Sequence, residues 1–508
     1  MRNLVVILFI GLNYFMWPAL ADVRLAPVFS SNMLLQRDTP ITLLGWADEG
    51  EQISISLGDQ IVGTTIGQGK VKSWSIVLPQ FQAGPISDLT IKGKNTLVLS
   101  HLMAGDVWVC SGQSNMEMTL AKGPWCEYGG ALDSEREVAA SHHSRLRLFN
   151  ARDSLGWTIC QPDTAQRFSA VAYFFGRDLS KETGVPVGLV LSAVGGTAAE
   201  YWLPRSVRET WAGFPEALKA ARSILEELGP SDSAYRAALA EWQKVSKQAK
   251  KDGQRVPPQP VSTLSPAQQE LMATARIVEK TGFYYEKRIE PLTLMPIKGV
   301  IWYQGEGNVT RHSEYAELMT QLVNSWRKAW NQKDLPFLIV QLVNYGSRAP
   351  SGEHLWAKLR VAQQTVVDSV PNTALTVGID LGESKNIHPA NKQDVGRRLA
   401  LLALGKVYGH KNTYEGPKPL NTRFETGKVI VEFDQNVVLK TDGETGFELA
   451  SKIGIFHPAS AEATGKSITL TSSAVLDPDE VRYAWRDNPV ATISNAEGLP
   501  SAPFHKHK

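Results

Sequence analysis

Five short apolar runs, separated by longer segments of helical periodicity, constrain the fold of this chain more than any other feature of its sequence. The runs are VWVC, VGLVLSAV, IKGVIWY, FLIVQLV and ALTVGI. Strands that are apolar on both sides are typical of a parallel sheet, because helices cover both of its faces. The pattern therefore predicts an α/β core of three layers around a parallel five-stranded sheet.

Alternating stretches on either side of this core predict two further β domains. Residues 22–104 contain ITLLGWA, EQISISLG and WSIVLP, and residues 413–508 contain KVIVEFDQ and SITLTS. Period-two alternation bounded by Gly, Pro, Asp and Asn indicates antiparallel strands. We expect a β-sandwich-like domain at 22–104, a core domain at 105–412 and a second β-sandwich-like domain at 413–508.

The core domain carries an insertion between about residues 206 and 290. It is rich in Ala, Glu, Lys and Gln and is broken by a Pro-rich segment at residues 256–261. This composition predicts a helical cap on one side of the sheet, with a solvated charged face.

Residues 1–21 have the pattern of a secretory signal peptide. A basic start is followed by an apolar stretch too short for a comfortable membrane span, and the segment ends in Ala19-Leu20-Ala21. We expect cleavage after Ala21 and a secreted or periplasmic protein with no membrane segment, the alternative being an uncleaved anchor.

The charge balance and the cysteines limit the possible partners and cofactors. The 53 basic and 51 acidic side chains nearly cancel, so no nucleic-acid partner is expected. In an oxidising compartment Cys126 and Cys160 pair while Cys110 stays buried, or all three remain free thiols. No C-x-x-C pair and no cluster of His, Asp or Glu has the spacing of metal ligands, so we expect neither a metal nor a cofactor.

Polar residues and glycines follow four of the five apolar runs. Because the carboxyl ends of parallel strands meet at one edge of a sheet, the residues after them should converge on a ligand site. These stretches are Ser111 to Asn115, Gly195 to Thr197, Gln304 to Asn308 and Asp380 to Gly382, with Asn386 to Pro389 shortly after the last.

Two of these residues have the chemistry of acyl transfer. A serine hydroxyl such as Ser114 attacks an ester when an imidazole such as His388 takes its proton. The resulting oxyanion needs donors, which the N–H groups of Ser114 and Gly196 and an amide from Gln304 or Asn308 would supply. Each residue taken alone also has a structural explanation, such as a helix cap or a turn, and their joint placement after successive strands favours catalysis.

At these residues the chain resembles the sialate O-acetylesterase family of the SGNH hydrolase superfamily. The matching stretches are SGQSNMEM, SAVGGTAAEYW, IWYQGEGN and DLGESKNIHPANKQDVGRRLA, and VRYAWRDNPVATISNAEGLPSAPF resembles the ending of long bacterial members. The resemblance implies a flavodoxin-like SGNH hydrolase core and the removal of O-acetyl groups from a sugar, with sialic acid the family's eponymous substrate.

The resemblance also implies roles for single residues. Ser114 matches the nucleophile and His388 the base, while Gly196 and Gln304 match the region of the oxyanion hole. Glu306 and Asn308 complete the third block, and we expect Gln113, Glu306 and Trp202 to contact the substrate.

The sequence departs from the SGNH pattern just before the histidine. These enzymes commonly place an aspartate two or three residues earlier to orient the imidazole, whereas this chain has Asn386 and Lys385 there. Asp380 is the acidic candidate for this role, and Asn386 or a backbone carbonyl are the alternatives. A neutral orienter would lower the rate without abolishing it, because it stabilises the imidazolium less.

Two other functions stay open on the sequence alone. An acetylxylan or other polysaccharide acetylesterase would use the same machinery with different cleft walls, and a non-catalytic carbohydrate-binding protein would keep an inactive core. Arg360 and Gln363, three residues apart on a predicted helix, would reach toward a sugar carboxylate or form a surface ion pair.

Overall fold

The structure is a computed structural model that describes residues 23–67, 73–153, 155–346, 353–440 and 443–508. The predicted signal peptide at residues 1–21 lies outside the described residues. Among those described, no helix combines the length and the apolar character needed to cross a membrane.

In the described part of the N-terminal region, short strands build two antiparallel sheets. β1, β3 and β6 form one sheet and β5, β4, β8 and β9 the other, with alternate residues such as Ile41, Leu43, Ile53 and Ile55 buried in a shared core. The strands are β1 (Arg24–Leu25), β2 (Leu34–Gln36), β3 (Ile41–Trp46), β4 (Gln52–Leu57), β5 (Gln60–Ile66), β6 (Ser73–Leu78), β7 (Gly84–Pro85), β8 (Leu89–Lys92) and β9 (Thr96–Leu99).

The central region contains the helices and the large sheet. Its elements are β10 (Met103–Gly112), α1 (Ser114–Glu117), α2 (Ser134–Ala139), β11 (His143–Asn150), β12 (Trp157–Cys160), α3 (Pro162–Ala165), α4 (Ala170–Thr183), β13 (Val187–Ala193), α5 (Arg205–Arg208), α6 (Phe214–Lys251), α7 (Pro266–Glu279), β14 (Gly299–Tyr303), α8 (His312–Ala329), β15 (Phe337–Val340), α9 (Leu355–Ser369), β16 (Thr373–Thr376) and α10 (Lys392–Lys406).

The central sheet is mixed, with its strands in the order β12-β11-β13-β10-β14-β15-β16. Neighbouring strands run parallel from β11 to β16, and β12 pairs antiparallel with β11. At its N-terminal end, β10 also pairs with β2 and β7, through residues Met103 to Gly105. The prediction of a five-stranded parallel sheet is therefore wrong, because it omits β11, whose sequence HSRLRLFN alternates charged with apolar residues.

Helices cover both faces of this sheet and form three layers. α4 and α10 pack on one face, where Phe174, Phe175 and Leu399 bury the side chains of Trp108 and Ile301. α8 and α9 pack on the other face against Trp302 and its neighbours. In the insertion α6 and α7 pack together, and the Pro-rich residues 256–261 lie between them.

The described C-terminal region forms β-sheets around a separate core. β17-β18-β23-β22 and β21-β20-β24-β26 are antiparallel sheets, and β19 pairs with β25. The strands are β17 (Pro419–Glu425), β18 (Lys428–Phe433), β19 (Val438–Leu439), β20 (Phe447–Ala450), β21 (His457–Pro458), β22 (Ser460–Thr464), β23 (Ser467–Thr471), β24 (Glu480–Tyr483), β25 (Ile493–Ser494) and β26 (Phe504–His507).

The three cysteines settle one open alternative. Cys110, Cys126 and Cys160 are all buried and free, so Cys126 and Cys160 do not pair. Burial raises the pKa of the Cys110 thiol and brings the pKa of the Cys160 thiol to about 12, which keeps both protonated.

Candidate active site

Ser114 stands at a sharp turn between β10 and α1. Gly112 ends β10 with φ 135°, and a Cβ there would lie 2.1 Å from the carbonyl oxygen of Tyr303, so only glycine fits. Gln113 follows in an extended conformation as the N-cap, and Ser114 is the first residue of α1. The polar turn after the buried strand thus starts a short helix and presents a serine side chain.

Ser114 lines an open cleft of about 640 Å³, a volume in the range of small-molecule sites. The walls come from the loops that follow β10, β13, β14 and β16, at the carboxyl edge of the sheet. These loops supply Ser114, Gly195 with Gly196, Glu306 with Gly307, and Ile387 with His388. Ser114 and His388, which are remote in sequence, therefore lie on the walls of one cleft.

A direct hydrogen bond joins the neighbours of these two residues. Asn115, next to Ser114, donates from Nδ2 to the carbonyl of Ile387, next to His388, over 3.0 Å. Because Asn115 is fully buried, this bond is shielded from water. It holds the loop of His388 against the helix of Ser114.

A buried lysine fixes Asn115 from the opposite side. Lys392, in the first turn of α10, donates to Oδ1 of Asn115 over 2.7 Å and to the carbonyl of Pro389 over 2.8 Å. Asn115 also donates to Oε1 of Glu306 over 2.5 Å. Lys392 and Asn115 thereby connect the loops after β10, β14 and β16.

The ring of His388 is positioned by stacking. It lies face to face with the ring of Tyr128, with centroids 4.3 Å apart and planes inclined by 17°. Asn386 holds the backbone of the same loop, because its side chain accepts from the His388 N–H (3.0 Å) and donates to the His388 carbonyl (2.9 Å).

The expected acidic orienter is absent from this position. Both oxygens of Asp380 bind the guanidinium of Arg398, at 2.7 and 2.6 Å, because the buried arginine at the sheet edge needs a counterion. The assignment of Asp380 as orienter is thus corrected. Among the described residues no carboxylate forms a hydrogen bond with the ring of His388.

Glu117 links Tyr128 to the glycine loop, Gly195 with Gly196, on the wall of the cleft. Its Oε2 accepts from the N–H of Gly195 over 2.7 Å and from the hydroxyl of Tyr128, and its Oε1 binds Arg152. A Cβ at Gly195 would lie 2.8 Å from the Tyr128 hydroxyl oxygen and 3.0 Å from Oε2 of Glu117, so this close approach requires glycine.

The backbone supplies donors toward the cleft. Gly196 follows with φ 70° and lines the cleft beside Ser114. Within the described residues neither the Ser114 nor the Gly196 N–H is donated to another backbone or side-chain group. Both remain available to an oxyanion.

Gln304 and Asn308 lie behind the cleft, which corrects their assignment to the oxyanion hole. The Gln304 amide donates to the Thr197 carbonyl (3.2 Å) and to Oδ1 of Asn308 (2.7 Å), and Asn308 donates to Glu200 (2.9 Å). Both side chains are buried, and neither lines the cleft. The chain after β14 continues into the interior at Gln304 and reaches the cleft only at Glu306 and Gly307.

Of the residues expected to contact substrate, Gln113 and Glu306 line the cleft and Trp202 does not. Trp202 is fully buried, donates to Thr197 (3.0 Å) and stacks on Tyr284, because its ring belongs to the apolar layer beneath the sheet. The exposed aromatic face in the cleft is that of Trp125.

Arg360 and Gln363 are also interior residues. Arg360 donates to the carbonyls of Leu342 (2.8 Å) and Val343 (2.9 Å), and Gln363 donates to the carbonyl of Gln304 (3.1 Å). They hold loops together and meet neither a sugar nor a surface partner.

Burial and one nearby charge set the protonation of His388. Burial, and then the positive charge of Lys392, lower the pKa of His388 to about 4, so its ring is neutral at pH 7. Burial lowers the pKa of Lys392 to about 7, while the carboxylates of Glu306 and Glu383 oppose this shift. Burial raises the pKa of Glu306, whose Oε2 is enclosed without a hydrogen-bond partner in the described structure.

Sequence reasoning missed four residues of the site: Glu117, Tyr128, Arg152 and Lys392. Glu117 follows Ser114 by one helical turn, a spacing that points both side chains the same way and was a usable signal. Lys392 follows His388 at the start of a helical pattern. Tyr128 and Arg152 come from irregular loops, where the sequence carries no periodic signal.

One cluster of potential metal ligands exists in the described residues, and it lies away from the cleft. Glu480, His505 and His507 bring their ligand atoms within 4.8 Å of one another in the C-terminal sheets. No regular spacing in the sequence indicates this cluster, because antiparallel pairing joins residues that are distant in sequence.

Comparisons with known proteins find similar sequences and a similar structure. A family model described as "Carbohydrate esterase, sialic acid-specific acetylesterase" matches residues 104–250 and 274–404. The sialate O-acetylesterase of Rattus norvegicus is 27% identical over 95% of this chain and 94% of its own, and that of Homo sapiens is 25% identical over 95% and 92%. A crystal structure of a carbohydrate acetylesterase from Xanthomonas citri has a TM-score of 0.76 and 30% identity, covering 96% of this chain and 100% of that one.

We predict that NMR titration of His388 in the folded protein gives a pKa of about 4. In Lys392→Met the pKa should move up toward the ordinary value near 6.5, because a buried positive charge no longer opposes protonation. Lys385→Met, which removes an exposed charge in the same loop, serves as the control and should leave the titration unchanged. An unshifted titration in folded Lys392→Met would contradict this account of the site.

Proposed function

Since the chain belongs to the carbohydrate esterase family of sialic acid-specific acetylesterases, we propose that Ser114 is its nucleophile, His388 its base and an O-acetylated sialic acid its substrate. Membership makes the chain a carboxylic ester hydrolase that removes acetyl groups from sugars. The observation that carries the assignment of residues is the shared cleft of Ser114 and His388, whose neighbours Asn115 and Ile387 are joined by a hydrogen bond.

Acylation follows from the protonation state of the site. The neutral ring of His388 takes the proton of the Ser114 hydroxyl as its Oγ attacks the acetyl carbonyl carbon. The carbonyl oxygen becomes an oxyanion that accepts from the N–H groups of Ser114 and Gly196. The imidazolium then protonates the sugar oxygen as its bond to the acetyl carbon breaks, and a low pKa makes His388 a strong acid for this step.

Deacylation repeats the sequence with water. His388 takes a proton from a water molecule, whose oxygen attacks the acetyl group on Ser114. Collapse of the second tetrahedral intermediate releases acetate and returns the proton from His388 to Ser114. Gln113 lies on the same wall of the cleft. Its side-chain oxygen accepts from the N–H groups of Gly305 (3.3 Å) and Gly307 (3.1 Å), and its amide nitrogen is a candidate donor to the substrate.

One basic side chain among the described residues of the cleft wall supports an anionic sugar, while Glu117, Glu127 and Glu306 on the same wall are acidic. Among the described residues that line the cleft, Arg152 is the one lysine or arginine, and 56% of its side chain is exposed. Glu117 occupies one terminal nitrogen of its guanidinium, which leaves further N–H donors facing the cleft. A sialic acid carries a carboxylate that such donors bind with charge-assisted hydrogen bonds.

A neutral acetylated polysaccharide is the second candidate substrate. The cleft is open, and Trp125 presents an exposed ring on its wall, a surface on which neutral sugar rings stack. The solved relative from Xanthomonas citri is described as a carbohydrate acetylesterase.

We expect Ser114→Ala and His388→Ala each to lower kcat for a neutral acetate ester such as p-nitrophenyl acetate by about 10³-fold or more, because the nucleophile or its base is lost. Ser384→Ala, in the same loop as His388, and His410→Ala are matched controls that should keep wild-type turnover. Hydrolysis that persists in folded Ser114→Ala would reject the assignment, and a wild type without activity would favour the binding-protein alternative.

Tyr128 provides a test of how the imidazole is held. Tyr128→Leu removes the stacked ring and should lower kcat by about 10²-fold with a smaller change in KM, because the ring of His388 is then misplaced. Tyr128→Phe keeps the stack and loses only the bond to Glu117, so most of the rate should return. Equal losses in the two variants would show that stacking does not position His388.

A matched pair of substrates tests the role of Arg152. For an O-acetylated sialic acid, Arg152→Met should lower kcat/KM by about 10- to 100-fold, because a charge-assisted bond is worth about 1.5–3 kcal/mol. For the carboxyl methyl ester of the same sugar, wild type and variant should be nearly equal. A parallel loss on both substrates would assign Arg152 to the support of Glu117, and faster turnover of acetylxylan by wild type would favour the neutral polysaccharide.

A further inference from the structure

Three side chains with metal-binding chemistry share one face of the C-terminal sheet formed by β21, β20, β24 and β26. His505 and His507 alternate along β26, so both point to the same face. β24 runs antiparallel beside β26 with Glu480 directly opposite His507. Pairing of the two strands therefore places one carboxylate beside two imidazoles.

The distances between the ligand atoms are close to those around a tetrahedral metal ion. Oε2 of Glu480 lies 2.8 Å from Nε2 of His505 and 3.4 Å from Nδ1 of His507. Zinc bonds of about 2.0–2.2 Å to nitrogen and oxygen place neighbouring ligand atoms roughly 3.3 Å apart. Small side-chain rotations would bring all three atoms onto one ion.

The basic side chains near the cluster do not pair with Glu480, which contacts the two imidazoles. Arg482, on the same face, is bound to Glu448 over 2.7 Å, and Lys508 lies 3.5 Å from Asp477. Lys506 pairs with Val481 in the register, which puts its side chain on the other face of the sheet. No lysine or arginine is within ion-pair distance of Glu480 in the described residues.

The ring of His505 is held in place before any ion arrives. It packs against Phe456 (centroids 5.5 Å apart) and Trp485 (5.1 Å), and its centroid lies 4.3 Å from that of His507. A ligand that is already packed in place loses little freedom on binding.

We propose that Glu480, His505 and His507 form a binding site for a divalent transition-metal ion of the zinc type, with water at the remaining positions. Two nitrogen donors and one carboxylate suit Zn²⁺ and its neighbours in the first transition row, whereas Ca²⁺ and Mg²⁺ prefer sets of oxygen ligands. The ion cross-links β24 to β26 and stabilises the C-terminal sheets. The site is independent of the ester cleft, since none of its residues lines that cleft.

The test uses full-length protein without a histidine tag, stripped with EDTA and titrated with Zn²⁺ by isothermal calorimetry. We expect one Zn²⁺ per chain and a thermal unfolding midpoint that rises with Zn²⁺ concentration. Glu480→Gln and His507→Ala should each lower the affinity at least about tenfold and remove the shift of the midpoint. His457→Ala, a histidine of strand β21 at the opposite edge of the same sheet, is the matched control and should bind as the wild type does.

Two results would overturn the proposal. One is the lack of saturable one-to-one binding by the wild type, and the other is binding that survives both Glu480→Gln and His507→Ala, which would place the ion elsewhere. Glu480→Gln is nearly isosteric and 65% of the His507 side chain is exposed, so circular dichroism should show both variants folded. Ester hydrolysis should be the same with and without Zn²⁺, which keeps this test separate from that of the cleft.

Discussion

The buried hydrogen bonds of Lys392 and Asn115 are the constraint on which the rest of the site depends. Loops that leave an open sheet have many possible conformations, and a catalytic pair drawn from two of them needs a fixed relation. Asn115 supplies it by bonding Ile387 while Lys392 bonds Asn115 and Pro389. The same ammonium group adds to the effect of burial in lowering the pKa of His388. Lys392 therefore contributes both to the geometry of this cleft and to the proton affinity of its histidine.

Orientation of the imidazole in this chain does not rely on an acidic residue. The stack of Tyr128 on His388 fixes the ring plane, and Glu117 anchors Tyr128 together with Gly195. One carboxylate thus holds both the tyrosine that stacks on His388 and the glycine loop beside Ser114. Glu117 bonds Tyr128 and Gly195 and not the ring of His388, so the arrangement provides position more than charge.

The sequence was informative where burial leaves a periodic trace. Strands covered on both faces read as continuous apolar runs, so the α/β class and the flanking β-sheets could be predicted, and the family resemblance is confirmed. The sequence did not indicate strand β11, because Arg145 and Arg147 interrupt its apolar pattern. The rule that strand ends converge anticipated the shared cleft of Ser114 and His388.

Side-chain direction after a strand was beyond the reach of sequence. Gln304 and Trp202 belong to the right segments, yet both are buried in the protein: the chain reaches the cleft two residues after Gln304, at Glu306, and six residues before Trp202, at Gly196. Asp380 binds Arg398, which lies in the next helix, α10, and nothing in the sequence spacing indicates this pairing. Tyr128 and Arg152 come from loops whose course depends on tertiary packing alone.

The long strand β10 connects the N-terminal region to the helix that carries Ser114. Its first residues pair with β2 and β7, and its last residue, Gly112, leads into α1, the helix that begins at Ser114. The N-terminal region is therefore tied into the central sheet through β2 and β7. Its removal would leave backbone groups of Met103 to Gly105 without partners, so local unfolding would start at that end of β10 and spread along the strand toward Ser114.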